Sequence, residues 1–217
     1  TIVLKNLEKR LIFTTNYDRV IEECGSRMGH ACIDGFTLNA RTRELEWDPE
    51  EFRKKPQNGQ LIKLFKLHGS LDWRRRYDGV IVKVGAEERT RESRRFKENV
   101  LIYPAGKAQP EKDPFKTLHE FFVNYINDSD TCIFIGFSFR DDYLNSIINQ
   151  HLEKKKIIIV SPNATQNIQR NLLGGRELPP VHRIFPINSS FEQPDTLNKV
   201  EEAIKGEGVF LKAGKTS

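Results

Sequence analysis

The feature that most restricts how this chain can fold is a set of short apolar runs, rich in Ile, Val and Phe, without regular alternation with polar residues. In the C-terminal half these runs are Thr131 to Ile135, Lys156 to Val160 and Val181 to Ile187. A continuous apolar run indicates a strand that is buried on both faces, as in parallel sheets. Between the runs, apolar residues recur with helical spacing, as in Phe115 to Ile126 and Tyr143 to Leu152. This alternation predicts an α/β fold with a Rossmann-like, doubly wound parallel sheet.

The N-terminal half contributes two further strands of the same kind. They are the apolar runs Leu11 to Thr15 and Leu61 to Leu67. A helix is expected soon after the first of them, because apolar residues continue with helical spacing from Val20 to Cys24. The run from Asn99 to Pro104, which ends at a proline, is expected to return to the parallel core as another strand.

Two stretches interrupt the alternation of strands and helices. Residues 26–60 have weak periodicity and several chain breakers, and they are expected to form loops and short pieces of a smaller subdomain. Residues 70–98 contain a predicted hairpin through Asp78-Gly79, followed by a highly charged run. We therefore expect one domain over residues 1–217, with insertions at about 26–60 and 70–98.

The composition is that of a soluble globular domain. Apolar residues make up 37% of the 217 residues and charged residues 30%, and no apolar run approaches the roughly 20 residues of a membrane span. The three cysteines, Cys24, Cys32 and Cys132, lack a Cys-x-x-Cys spacing, which argues against a disulfide framework and a structural zinc site. A cytoplasmic protein is the simplest interpretation. The chain opens without Met, so it is expected to begin inside a longer protein.

The net charge of +5 is uneven along the chain. Residues 70–98 hold nine Lys/Arg and six Asp/Glu, so much of the positive excess lies there. Within them, the cluster Trp73-Arg74-Arg75-Arg76-Tyr77 could stack on bases and bind phosphates, which makes nucleic acid one candidate partner. A solvated charged excursion is the other interpretation, and the composition leaves both open.

Polar and small residues follow four of the predicted strands. In a parallel sheet all carboxyl ends lie on one edge, where ligands bind. Backbone N–H groups at small residues approach phosphates or ribose, and hydroxyl and amide side chains bind ribose hydroxyls, so a nucleotide is the expected ligand. His68 has the alternative role of a packing residue, and Asn16 or Asp18 that of a helix cap. The segments are Thr15-Asn16-Tyr17-Asp18, His68-Gly69, Gly136-Phe137-Ser138 and Ser161-Pro162-Asn163.

These motifs, in this order, resemble the sirtuins (silent information regulator 2 family), and most of all their bacterial sirtuin-like branch. The resemblance covers roughly residues 11 to 187. It rests on Thr14-Thr15-Asn16-Tyr17-Asp18, Lys66-Leu67-His68-Gly69-Ser70, Ile102-Tyr103-Pro104-Ala105-Gly106, Gly136-Phe137-Ser138-Phe139 and Val160-Ser161-Pro162-Asn163.

The resemblance implies NAD as the substrate. Asn16 and His68 would carry the chemistry, Asp18 would contact the nicotinamide amide, and the remaining residues would bind phosphate and ribose. In such a mechanism the N-glycosidic bond to nicotinamide breaks through an oxocarbenium-like ribosyl centre. Asn16 would position the water or the ribose, and neutral His68 would accept a proton. The expected NAD-binding residues are Thr15, Asp18, Gly136, Ser138, Ser161 and Asn163.

Two departures from the sirtuin pattern restrict this implied function. Deacylase sirtuins carry a four-cysteine zinc ribbon just after the histidine-glycine motif, but residues 70–98 contain no cysteine, so no zinc is expected. The glycine-rich phosphate loop of the family precedes the asparagine motif by many residues, whereas only fifteen residues precede Asn16 here. We therefore expect the protein to extend N-terminally.

The leading hypothesis is an NAD+ glycohydrolase that releases nicotinamide and ADP-ribose, like the sirtuin-like effectors of bacterial antiphage defence. The resemblance implies that it forms oligomers or acts with a partner, such as a HerA-type ATPase or a short Argonaute. One alternative is a zinc-free NAD-dependent deacylase or ADP-ribosyltransferase. Another is a non-catalytic module that binds NAD or nucleic acid.

Overall fold

The computed structural model describes most of the chain as two compact units. The first unit extends to Phe122 and the second begins at Val123. Together they form a mixed α/β fold of parallel sheets and helices, which confirms the predicted Rossmann-like class. None of the helices among the residues that the structure describes is long and apolar enough to cross a membrane. The described residues are 11–54, 61–85, 94–103, 110–151, 154–175, 184–190 and 192–205.

Parts of the predicted elements lie outside these residues. They are residues 55–60 of the first predicted insertion, 86–93 of the charged run, 104–106 of the tyrosine-proline motif and 181–183 of the last predicted strand.

The first unit contains eight described strands and two short helices. The strands are β1 (Leu11–Thr14), β2 (Ala31–Ile33), β3 (Phe36–Leu38), β4 (Leu45–Trp47), β5 (Leu61–Lys66), β6 (Gly69–Arg76), β7 (Ile81–Lys83) and β8 (Phe96–Leu101), and the helices are α1 (Val20–Arg27) and a 3₁₀ helix (Pro49–Arg53). Helix α2 (Phe115–Asp128) contains the boundary between the units.

Strands β1, β5 and β2 form a parallel sheet with β5 in the centre. Ile12 pairs with Leu64 of β5, and Cys32 of β2 pairs with Ile62 on the other side. The central strand is apolar and carries Ile62, Leu64 and Phe65, which are fully buried, as expected for a strand with neighbours on both edges. Strand β2 lies within residues 26–60, so part of that stretch belongs to the parallel sheet.

The remaining strands of the first unit form a five-stranded antiparallel sheet in the order β3-β4-β7-β6-β8. The predicted hairpin through Asp78-Gly79 is confirmed as the connection from β6 to β7. The expectation that Asn99 to Pro104 returns to the parallel core is wrong, because β8 pairs antiparallel with β6. Val100 is buried, whereas Lys97, Glu98 and Asn99 are exposed, as suits a strand at the edge of a sheet rather than at its centre.

An aromatic cluster joins the two sheets of the first unit. Phe52, from the 3₁₀ helix, stacks on Phe65 of the parallel sheet with a centroid distance of 4.2 Å. On its other side Phe52 meets Trp47 edge-on at 6.0 Å, and Trp47 lies 5.9 Å from Trp73 of the antiparallel sheet. Such aromatic pairs add specific geometry to the burial of large apolar surfaces. The 3₁₀ helix therefore fixes the two sheets to each other.

The second unit is built on a parallel sheet in the order β11 (Ile184–Asn188), β10 (Lys156–Ser161) and β9 (Thr131–Ile135). The continuous run Ile157 to Val160 is at most 1% exposed, which confirms that the central strand is covered on both faces. One face packs on a helix through a core that includes Val160, Phe185 and Val200. The elements are β9 (Thr131–Ile135), α3 (Asp142–Asn149), β10 (Lys156–Ser161), α4 (Ala164–Asn167) continuing as a π-turn (Ile168–Leu172), β11 (Ile184–Asn188) and α5 (Thr196–Lys205).

Candidate functional site

The asparagine-x-aspartate motif forms a tight turn between β1 and α1. The backbone N–H of Asn16 donates to Thr14 Oγ1 at 3.1 Å, and this hydrogen bond forms the turn as the chain leaves the strand. Asp18 Oδ1 accepts the backbone N–H of Val20, the first residue of α1, at 3.0 Å. Asp18 lies one residue before the N-cap, Arg19, so its side chain satisfies the first N–H of α1 without occupying the cap position. The side chains of Asn16 and Asp18 are exposed, and Thr15 is half-buried.

The histidine-glycine motif forms the turn between β5 and β6. His68 is half-buried, and its carbonyl accepts the backbone N–H of Ile102 at 3.0 Å. Gly69 has φ +86°, and a Cβ at this position would lie 2.1 Å from the carbonyl oxygen of Val100. Only glycine fits there, because any side chain would be both strained and in contact with the backbone. The turn that presents His68 is therefore held tightly against β8.

The two turns lie at the same edge of the parallel sheet and are hydrogen-bonded to each other. Strands β1 and β5 are neighbours, so their carboxyl ends are adjacent. The carbonyl of Thr14 accepts the Leu67 N–H at 2.9 Å, and the carbonyl of Tyr17 accepts both the Leu71 N–H at 3.1 Å and the Ser70 hydroxyl at 3.2 Å. The first unit thus brings Asn16, Asp18 and His68 to one edge, as the parallel sheet predicts.

Two ion pairs lie beneath this edge. Lys66 Nζ is 3.0 Å from Glu22 Oε1, with side chains only 1% and 8% exposed, and it also donates to the carbonyl of Asp18. Arg19 Nε lies 3.4 Å from the fully buried Asp72 carboxylate. Charges are buried in this way only when they are paired, because an isolated ion would lose its hydration without compensation.

Tyr17 fastens the centre of the asparagine-x-aspartate turn. Its hydroxyl donates to the carbonyl of Ile102, so the turn is joined to the residue after β8. Burial, and then the neighbouring Tyr103, raises the pKa of Tyr17. The phenol therefore stays neutral and remains a donor throughout the physiological pH range.

In the second unit, the glycine-x-serine motif follows β9. The Gly136 N–H donates to the Val160 carbonyl at 2.8 Å, and Gly136 has φ +64°. Both Gly136 and Ser138 are exposed. Asn171 Nδ2 donates to the Ser138 carbonyl at 2.7 Å, and Asn145 Nδ2 donates to the Phe139 carbonyl at 2.8 Å. Two asparagines that the sequence reasoning did not identify therefore hold this loop.

The serine-proline-asparagine motif follows β10, the neighbour of β9, so both motifs lie at the same edge of the second sheet. Ser161 is buried, and its hydroxyl accepts from the Asn163 N–H and from Asn167 Nδ2, each at 3.4 Å. Asn163 is exposed. Ser161 thus shapes the turn, and Asn163 is the member of this motif that is open to solvent.

Four of the five residues in the cluster proposed for nucleic acid, Trp73 to Arg76, are buried or make internal contacts. Trp73 is 0% exposed and so has no face on which a base could stack. Arg74 is buried and donates to the carbonyls of Leu71 and Trp73. Arg75 pairs with Glu98 at 2.8 Å, and Arg76 lies in a group of carboxylates that includes Glu44 at 2.6 Å. Trp73 therefore cannot stack on a base, whereas Tyr77 is 71% exposed and keeps an accessible ring.

The comparison with protein families decides the assignment. Residues 10–173 match the family model described as a SIR2-like domain. The chain belongs to the SIR2-like family. A search of curated proteins gave no match. SIR2-like proteins are generally NAD-dependent enzymes, so the family assigns the chain an NAD-related function.

The SIR2-like domain offers no cluster of metal ligands in its described part. Across those residues, no group of three or more His, Cys, Asp or Glu side chains is arranged to hold a metal ion. All three cysteines are free thiols. Burial raises the pKa of Cys32 to about 11 and also raises that of Cys132, so both favour the neutral thiol rather than the thiolate that binds zinc.

Sequence reasoning missed the groups that support the motifs in the first unit. Lys66, Glu22 and Asp72 were not singled out in the sequence, and all three are buried. The available signal was the position of Lys66 inside the apolar run Leu61 to Leu67. A charged residue two positions before a candidate catalytic residue, flanked by apolar residues in a strand, indicates a buried partner.

Proposed function

We propose that this SIR2-like domain is an NAD+ glycohydrolase, which transfers the ADP-ribosyl group of NAD+ to water. The observation that carries the proposal is the junction of the two turns in the first unit. The exposed Asn16 and the half-buried His68 follow adjacent parallel strands, and hydrogen bonds from Leu67, Ser70 and Leu71 join their turns. An amide and an imidazole at one sheet edge can orient a water molecule and accept its proton.

The reaction breaks the bond between ribose C1′ and the nicotinamide nitrogen. The bonding electron pair leaves with nicotinamide, and an oxocarbenium-like centre develops at C1′. Water attacks this centre, with Asn16 holding the water and neutral His68 accepting the proton that the water releases. Asp18 binds the carboxamide of nicotinamide. Each of these groups acts by position and charge, and none forms a covalent bond to the substrate.

The residues of the second unit serve to bind the nucleotide. Gly136 and Ser138 bind phosphate and ribose, Asn163 binds a ribose hydroxyl, and Ser161 supports the turn that carries Asn163. The exposed state of Gly136, Ser138 and Asn163 supports this role, since a binding group has to be accessible to its ligand. Thr15, which is half-buried, completes the NAD-binding set in the first unit.

Water is the acceptor that the cysteine content favours. A four-cysteine zinc ribbon needs four thiolates, and the whole sequence contains three cysteines. In deacylase sirtuins that ribbon follows the histidine-glycine motif, where this chain instead has β6 and its hairpin to β7. The absence of cysteine from residues 70–98 therefore favours hydrolysis over transfer to a protein.

We further propose that the protein depletes cellular NAD+ as an effector of bacterial antiphage defence. It would act in the cytoplasm, as a homo-oligomer or with a partner such as a HerA-type ATPase or a short Argonaute. This role rests on the resemblance to sirtuin-like defence effectors. It predicts that NAD+ falls after phage infection in cells that carry the intact protein.

The test is to incubate the full-length protein with NAD+ and to measure nicotinamide and ADP-ribose by chromatography, with and without its partner. His68→Ala and Asn16→Ala are each expected to lower the rate by about 10²–10⁴-fold. The matched control is His30→Ala, because His30 directly precedes β2 and so lies at the opposite, amino-terminal edge of the same sheet. Unchanged turnover in His68→Ala, or no product from the activated wild-type protein, would overturn the proposal.

The same experiment separates hydrolysis from transfer. Mass spectrometry that finds O-acyl-ADP-ribose with an acylated peptide, or ADP-ribose attached to protein, would instead identify a deacylase or a transferase. In infected cells, a fall of NAD+ in the wild type but not in His68→Ala supports the defence role.

A further inference from the structure

The buried side chain of Lys66 joins the two motifs of the first unit. Its ammonium group donates to Glu22 Oε1 at 3.0 Å and to the carbonyl of Asp18. Lys66 lies on β5 just before Leu67 and His68, whereas Asp18 belongs to the asparagine-x-aspartate turn. One side chain therefore connects the strand that carries the histidine with the turn that carries the asparagine.

Stability alone does not explain this buried pair. Removing two charges from water costs several kcal/mol per ion, and well-packed apolar residues in place of such a pair are often equally or more stable. An apolar pair, however, could not donate to the Asp18 carbonyl. The feature that only the ion pair provides is a fixed donor beneath the turn, with Glu22 holding the ammonium group in place.

The contact restrains Asp18 at a second point. Its side chain already accepts the N–H of Val20, and its carbonyl is held by Lys66. The carbonyl of Tyr17 also accepts the Ser70 hydroxyl and the Leu71 N–H, so the turn is fixed along its length. Such fixation matters for chemistry, because a displacement of about 1 Å at a reacting group can cost about 10²-fold in rate.

We propose that Lys66 is a positioning residue, which together with Glu22 sets the placement of Asn16 and Asp18 relative to His68. This inference rests on the proposed NAD+ glycohydrolase activity. Lys66 is buried and does not touch the substrate; it acts through the backbone of Asp18.

The test replaces the ion pair with an apolar pair in the full-length protein, as the double variant Glu22→Leu/Lys66→Met. This change avoids leaving one charge buried and unpaired. The matched control is Lys63→Met: Lys63 lies on the same strand and its Nζ also donates to a backbone carbonyl, but that carbonyl is Phe52, away from the turn. Lys63→Met is expected to keep kcat and KM within about twofold of wild type.

The double variant is expected to unfold at the same urea concentration as wild type or higher, while kcat falls by about 10²-fold and KM changes by less than about threefold. Hydrogen exchange of the segment 15–22 is expected to accelerate relative to Lys63→Met, because the turn loses its internal donor. A stable double variant with wild-type kcat, or with unchanged exchange of this segment, would overturn the proposal.

Hydrogen exchange separates this inference from the proposed activity. If the wild-type protein hydrolyses no NAD+, the proposed function fails, but exchange over 15–22 still reports whether Lys66 fixes the turn. If the double variant does not fold, Glu22→Gln/Lys66→Met takes its place, since it removes the donor to the Asp18 carbonyl and leaves no charge buried without a partner. A kcat lowered by about 10²-fold then supports positioning, and an unchanged kcat and exchange rate contradict it.

Discussion

The α-carbon of Gly69 lies against the carbonyl of Val100, so closely that a Cβ would come within 2.1 Å of the oxygen. Gly69→Ala is therefore expected to lower the free energy of unfolding by about 2–4 kcal/mol, through a strained positive φ and a displacement of β8. Urea denaturation measures the loss. Because His68 precedes this glycine, NAD+ hydrolysis is also expected to fall.

Gly79→Ala is the control for the Gly69 variant. Gly79 has φ +90°, close to the +86° of Gly69, but nothing lies within 4 Å of its Cβ position. Gly79→Ala should lower the free energy of unfolding by about 1 kcal/mol, because of the backbone conformation alone. Equal losses for the two variants would show that the contact with Val100 does not matter.

The two roles of Asp18 can be separated by substitution. Asp18→Ala removes both the hydrogen bond to the Val20 N–H and the carboxylate, and should cost about 0.5–1.5 kcal/mol of stability. Asp18→Ser keeps a side-chain oxygen that can accept the Val20 N–H, so its urea midpoint should return close to the wild-type value. If the carboxylate also binds nicotinamide, KM for NAD+ stays raised in both variants. Recovery of KM in Asp18→Ser would assign the residue to the hydrogen bond with the Val20 N–H alone.

Ser138 is expected to act in binding rather than in chemistry. Removing one ground-state hydrogen bond of about 0.5–1.5 kcal/mol should raise KM for NAD+ by roughly two- to tenfold and leave kcat unchanged. Steady-state kinetics of Ser138→Ala measure this. Ser146→Ala is the control, because Ser146 is also an exposed serine of the second unit and its hydroxyl donates to the carbonyl of Tyr143 in its own helix. A fall in kcat with constant KM would contradict a binding role.

Arg76 is expected to stabilise the fold rather than bind nucleic acid. Its guanidinium contacts Glu44 and Asp78, so Arg76→Gln should lower the urea midpoint and leave anisotropy of labelled single-stranded DNA unchanged. Hydrogen bonding to Arg76 lowers the pKa of Asp78 below its ordinary value of 3.8. The stability that the wild type gains over Arg76→Gln is therefore present above pH 3.8 and is lost as the pH falls below it. Salt-sensitive DNA binding that Arg76→Gln abolishes, but the exposed-lysine control Lys97→Gln retains, would reverse this interpretation.

Cys32 is expected to react slowly with alkylating agents at neutral pH. Burial, followed by Glu22 and Asp34, raises its pKa to about 11, so only about 0.1% is thiolate at pH 8. In the variant Cys24→Ser/Cys132→Ser, where Cys32 is the remaining cysteine, the iodoacetamide rate should continue to rise up to about pH 11. A rate that reaches its plateau near pH 9 would show an ordinary thiol.

The parallel strands could be predicted because their burial leaves a direct trace in the sequence. Lys156 to Val160 is apolar without alternation, and only a strand covered on both faces requires that pattern. The Asp78-Gly79 hairpin was equally readable, since its turn needs a residue that tolerates positive φ, and Gly79 has φ +90°. From these strands the edges that carry Asn16 and His68 followed directly.

The antiparallel sheet was harder to predict for a physical reason. Strands β3 and β4 have three residues each, too few to show a period. The run around Val100 has the same apolar character whether it joins a parallel or an antiparallel sheet, because direction depends on partners and not on composition. Buried charges such as Lys66 were missed because their partners, here Glu22, are distant in sequence.

Both tryptophans of the chain, Trp47 and Trp73, lie in the aromatic cluster of the first unit. Intrinsic fluorescence excited at the indole band therefore reports on that unit alone, whereas far-ultraviolet circular dichroism reports on helices and strands of both. If the units melt separately, the two spectroscopic transitions will not coincide. The chain thus carries its own optical probe for the turns around Asn16 and His68.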